Sequence, residues 1–173
     1  MSNIQIRKVV SSEIAELRDV SVRTFFETFS EHNSASDMQK YLDNSLSLKQ
    51  LSDELTDENS EFHFAIYENE VIGYLKVNHR DSQTELKEEY SLEIERIYVF
   101  KEFHGKAVGQ LLFERALQIA NQKEVGYVWL GVWEKNPRAI AFYKKNGFEE
   151  FDKHIFRLGE DDQTDIMMRL KVR

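Results

Sequence analysis

The chain has 173 residues, 41% hydrophobic and 31% charged, which fits one globular domain able to build its own core and excludes a disordered or fibrous chain. Lysine and arginine number 23 against 31 aspartates and glutamates, a formal charge of −8, so the surface suits a cationic small molecule and argues against nucleic acid or an anionic membrane as partner. Cysteine is absent, which removes disulfides, thiolate metal sites and a cysteine nucleophile together and points to a reducing compartment.

The opening stretch, MSNIQIRKVVSSEIAELRD, alternates apolar and charged residues without the apolar core of a signal peptide. No run approaches the roughly 18 apolar residues of a membrane span, so a soluble cytoplasmic protein is expected. With one proline, seven glycines and no repeat or linker, residues 1–173 are expected to form a single domain. Residues 4–9 form a short strand. A helix follows, with Ser11 or Ser12 as its cap, Glu13 in its first turn, and a stripe of Ile14, Leu17 and Val20 continuing toward Phe25 and Phe29. Ser36 with Gln39, and Ser47 with Gln50, match the capping box of two further helices. Residues 62–67 and 71–77 flank Glu68-Asn69-Glu70 as an antiparallel hairpin, and residues 78–89 read as a loop.

Residues 92–100 return to strand, and Val108, Leu111, Leu112, Ala116 and Ile119 mark a helix. Residues 127–133, apolar on both faces, suit a central strand. Pro137 opens another helix and Gly147 closes it; residues 148–156 and 164–172 form a last hairpin around Gly159-Glu160-Asp161-Asp162. This order predicts an α/β (α+β) fold, a mixed sheet with helices on both faces.

Chemistry concentrates in the second half. The strand over residues 92–99 runs into His104-Gly105-Lys106-Ala107-Val108-Gly109-Gln110 and then directly into a helix. A helix N-terminus behind a small-residue loop is an anion site in outline, although such a loop also serves simply to start a helix. Neither a Walker loop nor a complete dinucleotide fingerprint is present. Glu93 and Glu95 occupy alternate strand positions and share a face, where carboxylates could attract a cationic amine and accept its proton through water, or form a solvated face or an ion pair. Tyr143 is protonated at neutral pH and could act as a general acid, or pack with Phe142 as a core aromatic. Asn136 has the residue type of a helix cap. The five histidines, His32, His63, His79, His104 and His154, show no pair at metal-binding helical spacing, so no metal is expected.

The segment Asn136-Pro137-Arg138-Ala139-Ile140-Ala141-Phe142-Tyr143-Lys144-Lys145-Asn146-Gly147-Phe148 resembles the N-x-x-A-x-x-F-Y-x-K-x-G-F signature of the GCN5-related N-acetyltransferases (GNAT). The upstream loop is similar to their Q/R-x-x-G-x-G/A acyl-CoA loop, departing from it at His104, where Gln or Arg is usual, and at Ala107, which replaces the first Gly. Residues 92–98, 129–136, 139–145 and 162–165 further resemble PaiA-type bacterial spermidine/spermine N-acetyltransferases. The resemblance implies a GNAT-like, mostly antiparallel sheet and acetyl-CoA as co-substrate. It also implies a polyamine acceptor and direct transfer in a ternary complex, for which no covalent carrier is evident. It assigns Tyr143 as general acid, the backbone of the Ile97-Tyr98-Val99 stretch to the pantetheine arm, the loop with Lys106 and Lys145 to phosphate oxygens, and Asn136 to either arm. The alternatives are a non-catalytic acyl-CoA-binding regulatory domain, or acetylation of a peptide N-terminus or an aminoglycoside. Oligomeric state is left open, with a homodimer to be tested.

Overall fold

The computed structural model describes residues 3–173. In chain order the strands and helices are β1 (Gln5–Lys8), α1 (Ile14–Phe29), α2 (Ala35–Ser45), α3 (Leu48–Thr56), β2 (Ser60–Tyr67), β3 (Glu70–His79), β4 (Ser91–Val99), α4 (Val108–Gln122), β5 (Tyr127–Trp133), α5 (Pro137–Lys145), β6 (Glu149–Leu158) and β7 (Asp161–Lys171). The seven strands form one sheet in the order β1-β2-β3-β4-β5-β7-β6, and every neighbouring pair is antiparallel except β4 with β5. The mixed, mostly antiparallel fold is therefore as expected. Helices cover both faces of the middle of the sheet: in β3 every residue from Ile72 to His79 is buried, which a one-sided strand cannot achieve. β6, at the edge, stays largely exposed. No helix among the described residues is long and apolar enough to cross a membrane.

Three local expectations are corrected. Neither Ser11 nor Ser12 caps the first helix. The chain enters α1 through a 3-10 turn at Ser11–Glu13, where the Glu13 carboxylate accepts from the Val10 N–H at 3.0 Å and is gripped by Arg7 at 2.5 and 2.9 Å. The cap of α2 is Ser34, whose Oγ accepts from the Asp37 N–H at 3.1 Å, and Ser36 lies inside the helix. Asp37 decides between the two serines, because its carboxylate also accepts from the Glu160 N–H at 3.0 Å, a contact made 123 residues away. Finally, residues 78 and 79 belong to β3 instead of the loop that follows; Asn78 is fully buried and paired with Glu93 of β4. Ser47 caps α3 as expected, accepting from the Gln50 N–H at 3.2 Å, but the Gln50 amide turns to Glu54, so only half of the reciprocal pair forms.

The apolar side chains divide into two clusters. The larger joins β2–β5 with α1 and α4, including Leu17, Phe64, Leu75, Leu92, Leu112 and Val128. A smaller one gathers Phe25, Phe29, Met38, Leu42, Leu46 and Leu51 from α1–α3 around Trp133 and Leu158, so three helices seal one end of β5. The hairpin turn between β2 and β3 places Glu68 and Asn69 at φ 51° and 67°, the left-handed pair that a two-residue hairpin turn requires.

His63, on β2, is fully buried with no hydrogen-bond partner for either ring nitrogen. Burial, aided by the charge of Arg115, holds its pKa down at about 4, against 6.5 for an exposed imidazole. The unfolded chain therefore takes up a proton that the folded chain refuses between those values, and this contribution to stability is complete above pH 6.5 and lost as pH falls toward 4. The loss should amount to roughly 2–3 kcal/mol. Urea midpoints compared at pH 7.5 and pH 4.5 should drop less in His63→Leu than in the wild type by that amount; equal drops would mean that other groups set the acid limb.

Candidate active site

β4 and β5 pair over only three positions, Ser91 with Tyr127, Leu92 with Val128 and Glu93 with Trp129. Past that seam both strands continue without a partner on the facing edge, β4 to Val99 and β5 to Trp133. The same point holds a bulge, because the pairing with β3 steps from Lys76 with Arg96 to Val77 with Ile94 and leaves Glu95 as the extra residue. The gap opens into a cleft of about 1570 Å³. Every candidate site residue named from the sequence lines this cleft except Lys106. The Lys106 ammonium instead lies 4.9 Å from the centre of the Phe103 ring, so its assignment to a phosphate is not supported by its placement.

At one end of the cleft the loop turns through Gly105 at φ +76° and Ala107 at φ +63°. The second is the position where this chain carries Ala for Gly, a left-handed backbone that costs an alanine about 1–2 kcal/mol. The first helical bond of α4 runs from the Leu111 N–H to the Ala107 carbonyl at 3.1 Å, which leaves the N–H groups of Val108, Gly109 and Gln110 without an intrahelical acceptor. A side chain at Gly109 would meet nothing within 4 Å, so the backbone there is open to the cleft. His104 braces the loop. Its Nε2 pairs with the Val99 carbonyl at 2.8 Å and its Nδ1 with Arg138, an arrangement that one neutral tautomer satisfies if Nε2 carries the proton. Burial lowers the His104 pKa and so favours that neutral form.

At the middle of the cleft stands α5. Asn136 is its cap, accepting from the Ala139 N–H at 3.2 Å, with Pro137 in the first turn and Gly147 at φ +89° past its end. Tyr143 packs as a core aromatic and also reaches the cleft. Its ring packs 5.4 Å from Phe142 and 5.5 Å from Phe148, while its residue lines the cleft and its hydroxyl has no hydrogen-bond partner among the described residues. Burial raises its phenol pKa, which keeps the proton on oxygen at neutral pH.

The two glutamates of β4 converge, as their alternate spacing predicts, but in different states. Both meet the Asn78 amide, Glu93 at 3.0 Å and Glu95 at 2.6 Å. Glu95 is also bound by Lys76 at 2.5 Å and Arg96 at 3.2 Å, and both cations reach on to Glu54 of α3 at 3.1 and 3.0 Å. Burial would raise the Glu95 carboxyl, but Arg96 and Lys76 outweigh it and hold the pKa at about 2. Glu95 is therefore a permanent anion in a neutral quartet. Glu93 has no cation. Its oxygens accept from the Thr84 N–H at 2.8 Å and the Thr84 hydroxyl at 2.5 Å, and burial together with the Glu95 charge pushes its carboxyl above the usual range. Sequence reasoning missed Glu54, Lys76, Asn78 and Thr84; the signal available was Lys76, a full charge inside the apolar run of β3, and Arg96 on β4, which must be paired if buried.

Across the gap a second polar group faces the same cleft: Asp165 of β7, His154 of β6 and Glu85 from the loop before β4. His154 lies 3.3 Å from Glu85 and 3.7 Å from Asp165. Among the described residues no three His, Asp or Glu side chains are grouped as metal ligands.

Residues 14–148 match the model of the Acetyltransferase (GNAT) family. An uncharacterized N-acetyltransferase in the pepI 3′ region of Lactobacillus delbrueckii subsp. lactis is 37% identical over 98% of both chains. Another, from Mycobacterium tuberculosis, is 28% identical over 88% of this chain and 94% of its own. Among solved structures, PaiA N-acetyltransferase from Thermoplasma acidophilum in complex with coenzyme A superposes with a TM-score of 0.81, at 22% identity, over 98% of this chain and 99% of that one. Ribosomal-protein-alanine N-acetyltransferase from Brucella melitensis has a TM-score of 0.69 at 17% identity, over 97% and 99%. The chain belongs to the GNAT family and is an N-acetyltransferase.

The quartet ties α3 to the sheet beneath the site, and without the Glu54 charge two cations are left to share the one carboxylate of Glu95. Glu54→Gln should destabilise the fold by about 3 kcal/mol, read from urea unfolding, because both Lys76 and Arg96 stay buried with less compensation. A loss below 1 kcal/mol would show that solvent reaches the quartet.

Proposed function

We propose that the chain transfers acetyl from acetyl-CoA to a primary amine of a small polycation such as spermidine or spermine, by direct attack in a ternary complex. One observation carries this reading: a single cleft runs from an open helix N-terminus to three carboxylates, Glu85, Glu93 and Asp165, that pair with no lysine or arginine among the described residues. The N–H groups of Val108, Gly109 and Gln110 suit the pyrophosphate oxygens, with Lys145 beside them on the cleft wall. The unpaired edge of β4 at Ile97, Tyr98 and Val99 suits the amides of the pantetheine arm, as an added strand would. The resemblance to PaiA-type enzymes, seen in the sequence and matched by the fold of the Thermoplasma protein, supports a polyamine as acceptor.

Transfer needs a neutral nucleophile, and an alkylammonium titrates near 10.4, so at pH 7 only about one molecule in a few thousand is ready to react. Glu93, which has no cationic partner, lowers the free energy of the cation at the mouth of the gap and so raises its local concentration, while Glu95 stays matched by Lys76 and Arg96. Tyr143 offers its hydroxyl proton to the departing thiolate, a role for which a phenol kept protonated and free of protein partners is suited. A panel of amines assayed for acetyl-CoA consumption tests the reading. Spermidine and spermine should turn over faster than propylamine, and salt should raise the KM for the polyamines. Preference for a peptide N-terminus or an aminoglycoside would reassign the acceptor, and acetyl-CoA binding without turnover would indicate a regulatory domain.

Tyr143→Phe keeps the ring and its packing and removes the proton donor. Its kcat should fall by about 10²- to 10⁴-fold, with acetyl-CoA affinity by calorimetry nearly unchanged. Wild-type kcat with chemistry rate-limiting would leave Tyr143 as packing alone.

A further inference from the structure

The carboxylates lining the cleft differ in what already occupies their oxygens. Glu95 is claimed by Lys76, Arg96 and Asn78, and Glu93 by Thr84 and Asn78. Asp165 accepts no hydrogen bond among the described residues, and the His154 Nε2 lies 3.7 Å away, longer than a hydrogen bond. Its side chain is 15% exposed, open to the cleft and otherwise enclosed. β5 makes room for it: Asp165 lies opposite Trp133 in the sheet, and its Oδ2 sits 3.2 Å from where a side chain on Gly131 would begin. Gly131 is on the strand edge that parts from β4, so this carboxylate stands at the lip of the gap. A further orphan lies beside it, because the buried His154 Nδ1 has no hydrogen-bond partner and only an ion-pair contact with Glu85.

We propose that Asp165 is the catalytic residue that takes the proton from the acceptor ammonium, with His154 as the residue that positions it. This rests on the acetyl-transfer reading above. An ammonium N–H breaks and an O–H forms on Asp165; the freed nitrogen lone pair forms the C–N bond to the acetyl carbonyl carbon. The C–S bond then breaks, sulfur takes the Tyr143 proton, and the second proton shed by nitrogen restores Tyr143. The third stays on the amide, and Asp165 returns its proton to water through the open side of the cleft. Glu93 acts by charge and Glu95 stays in its ion pairs, since a proton placed on either would have to displace donors already bound. The titratable groups facing Asp165 are His154 from β6, Glu85 from the loop before β4 and Tyr98 from β4; β5 contributes only Gly131. Burial raises the Asp165 carboxyl to about 6, with His154 opposing and Glu85 adding, so it is ionised at neutral pH yet more basic than an exposed aspartate.

The test is kcat against pH for the wild type, Asp165→Asn and His154→Gln at saturating spermidine and acetyl-CoA, with single-turnover measurements to isolate chemistry and CoA affinity by calorimetry as the control for folding. Asp165→Asn should lose about 10²-fold in kcat at pH 7 and recover toward the wild type by pH 10, where the amine arrives neutral, with CoA affinity unchanged. His154→Gln should move the acid limb to higher pH, because His154 holds the Asp165 carboxyl down. Asp165→Asn within threefold of the wild type with the same pH profile overturns the assignment, as does a loss that does not recover at high pH. Absence of turnover by the wild type with every amine overturns the acetyl-transfer reading and this one with it.

Discussion

Everything functional in this molecule depends on a parallel seam only three residue pairs long. β4 and β5 are joined by the α4 crossover, and parallel strands so connected would ordinarily pair along their whole length. Here they separate past Glu93 and Trp129, and the Glu95 bulge bends β4 at the same point. Unpaired main-chain groups in the middle of a sheet are costly unless something else satisfies them. The split is therefore tolerated where it exposes a strand edge, the N-terminus of α4 and the side chains of both walls to one shared space.

The electrostatics of that space follow from pairing more than from net charge. Lys76 and Arg96 are matched by Glu54 and Glu95, so four charges of the core cancel. Of the carboxylates on the cleft walls, those left without a lysine or arginine partner are Glu93 on one side and Asp165 with Glu85 on the other. The loop between β3 and β4 serves both walls, Thr84 holding Glu93 and Glu85 reaching His154. Consecutive residues thus couple the geometry of two groups that lie far apart in sequence, and a shift of this loop would be felt on both sides of the gap.

A fold shared with a protein named for a ribosomal-protein alanine cannot by itself choose a small amine as acceptor. Aromatic side chains enclose one end of the cleft. Phe29 and Tyr41 of α1 and α2 meet Phe156 of β6, at ring separations of 6.4 and 5.9 Å, and Trp133 lies 5.4 Å from Phe29. An aromatic wall beside carboxylates can hold both the alkyl and the charged parts of a flexible amine.

The element order and the cofactor end of the cleft were legible in the sequence because both are local. Hydrophobic periodicity, the small-residue loop before α4 and the Asn136 to Phe148 signature each lie within one continuous segment, and the structure places the loop residues other than Lys106 on one cleft with Asn136, Tyr143 and Lys145. The acceptor end was not legible in this way. Whether Ser34 or Ser36 caps α2 is settled by Glu160, whether Glu95 can take up a proton by Lys76 and Glu54, and whether Asp165 is free by the absence of a side chain at Gly131. Spacing along a chain determines which face a residue occupies. Only the tertiary fold decides which charges meet there, because burial and the sign of the nearest neighbour set the state of an ionisable group, and those neighbours come from strands and helices distant in sequence.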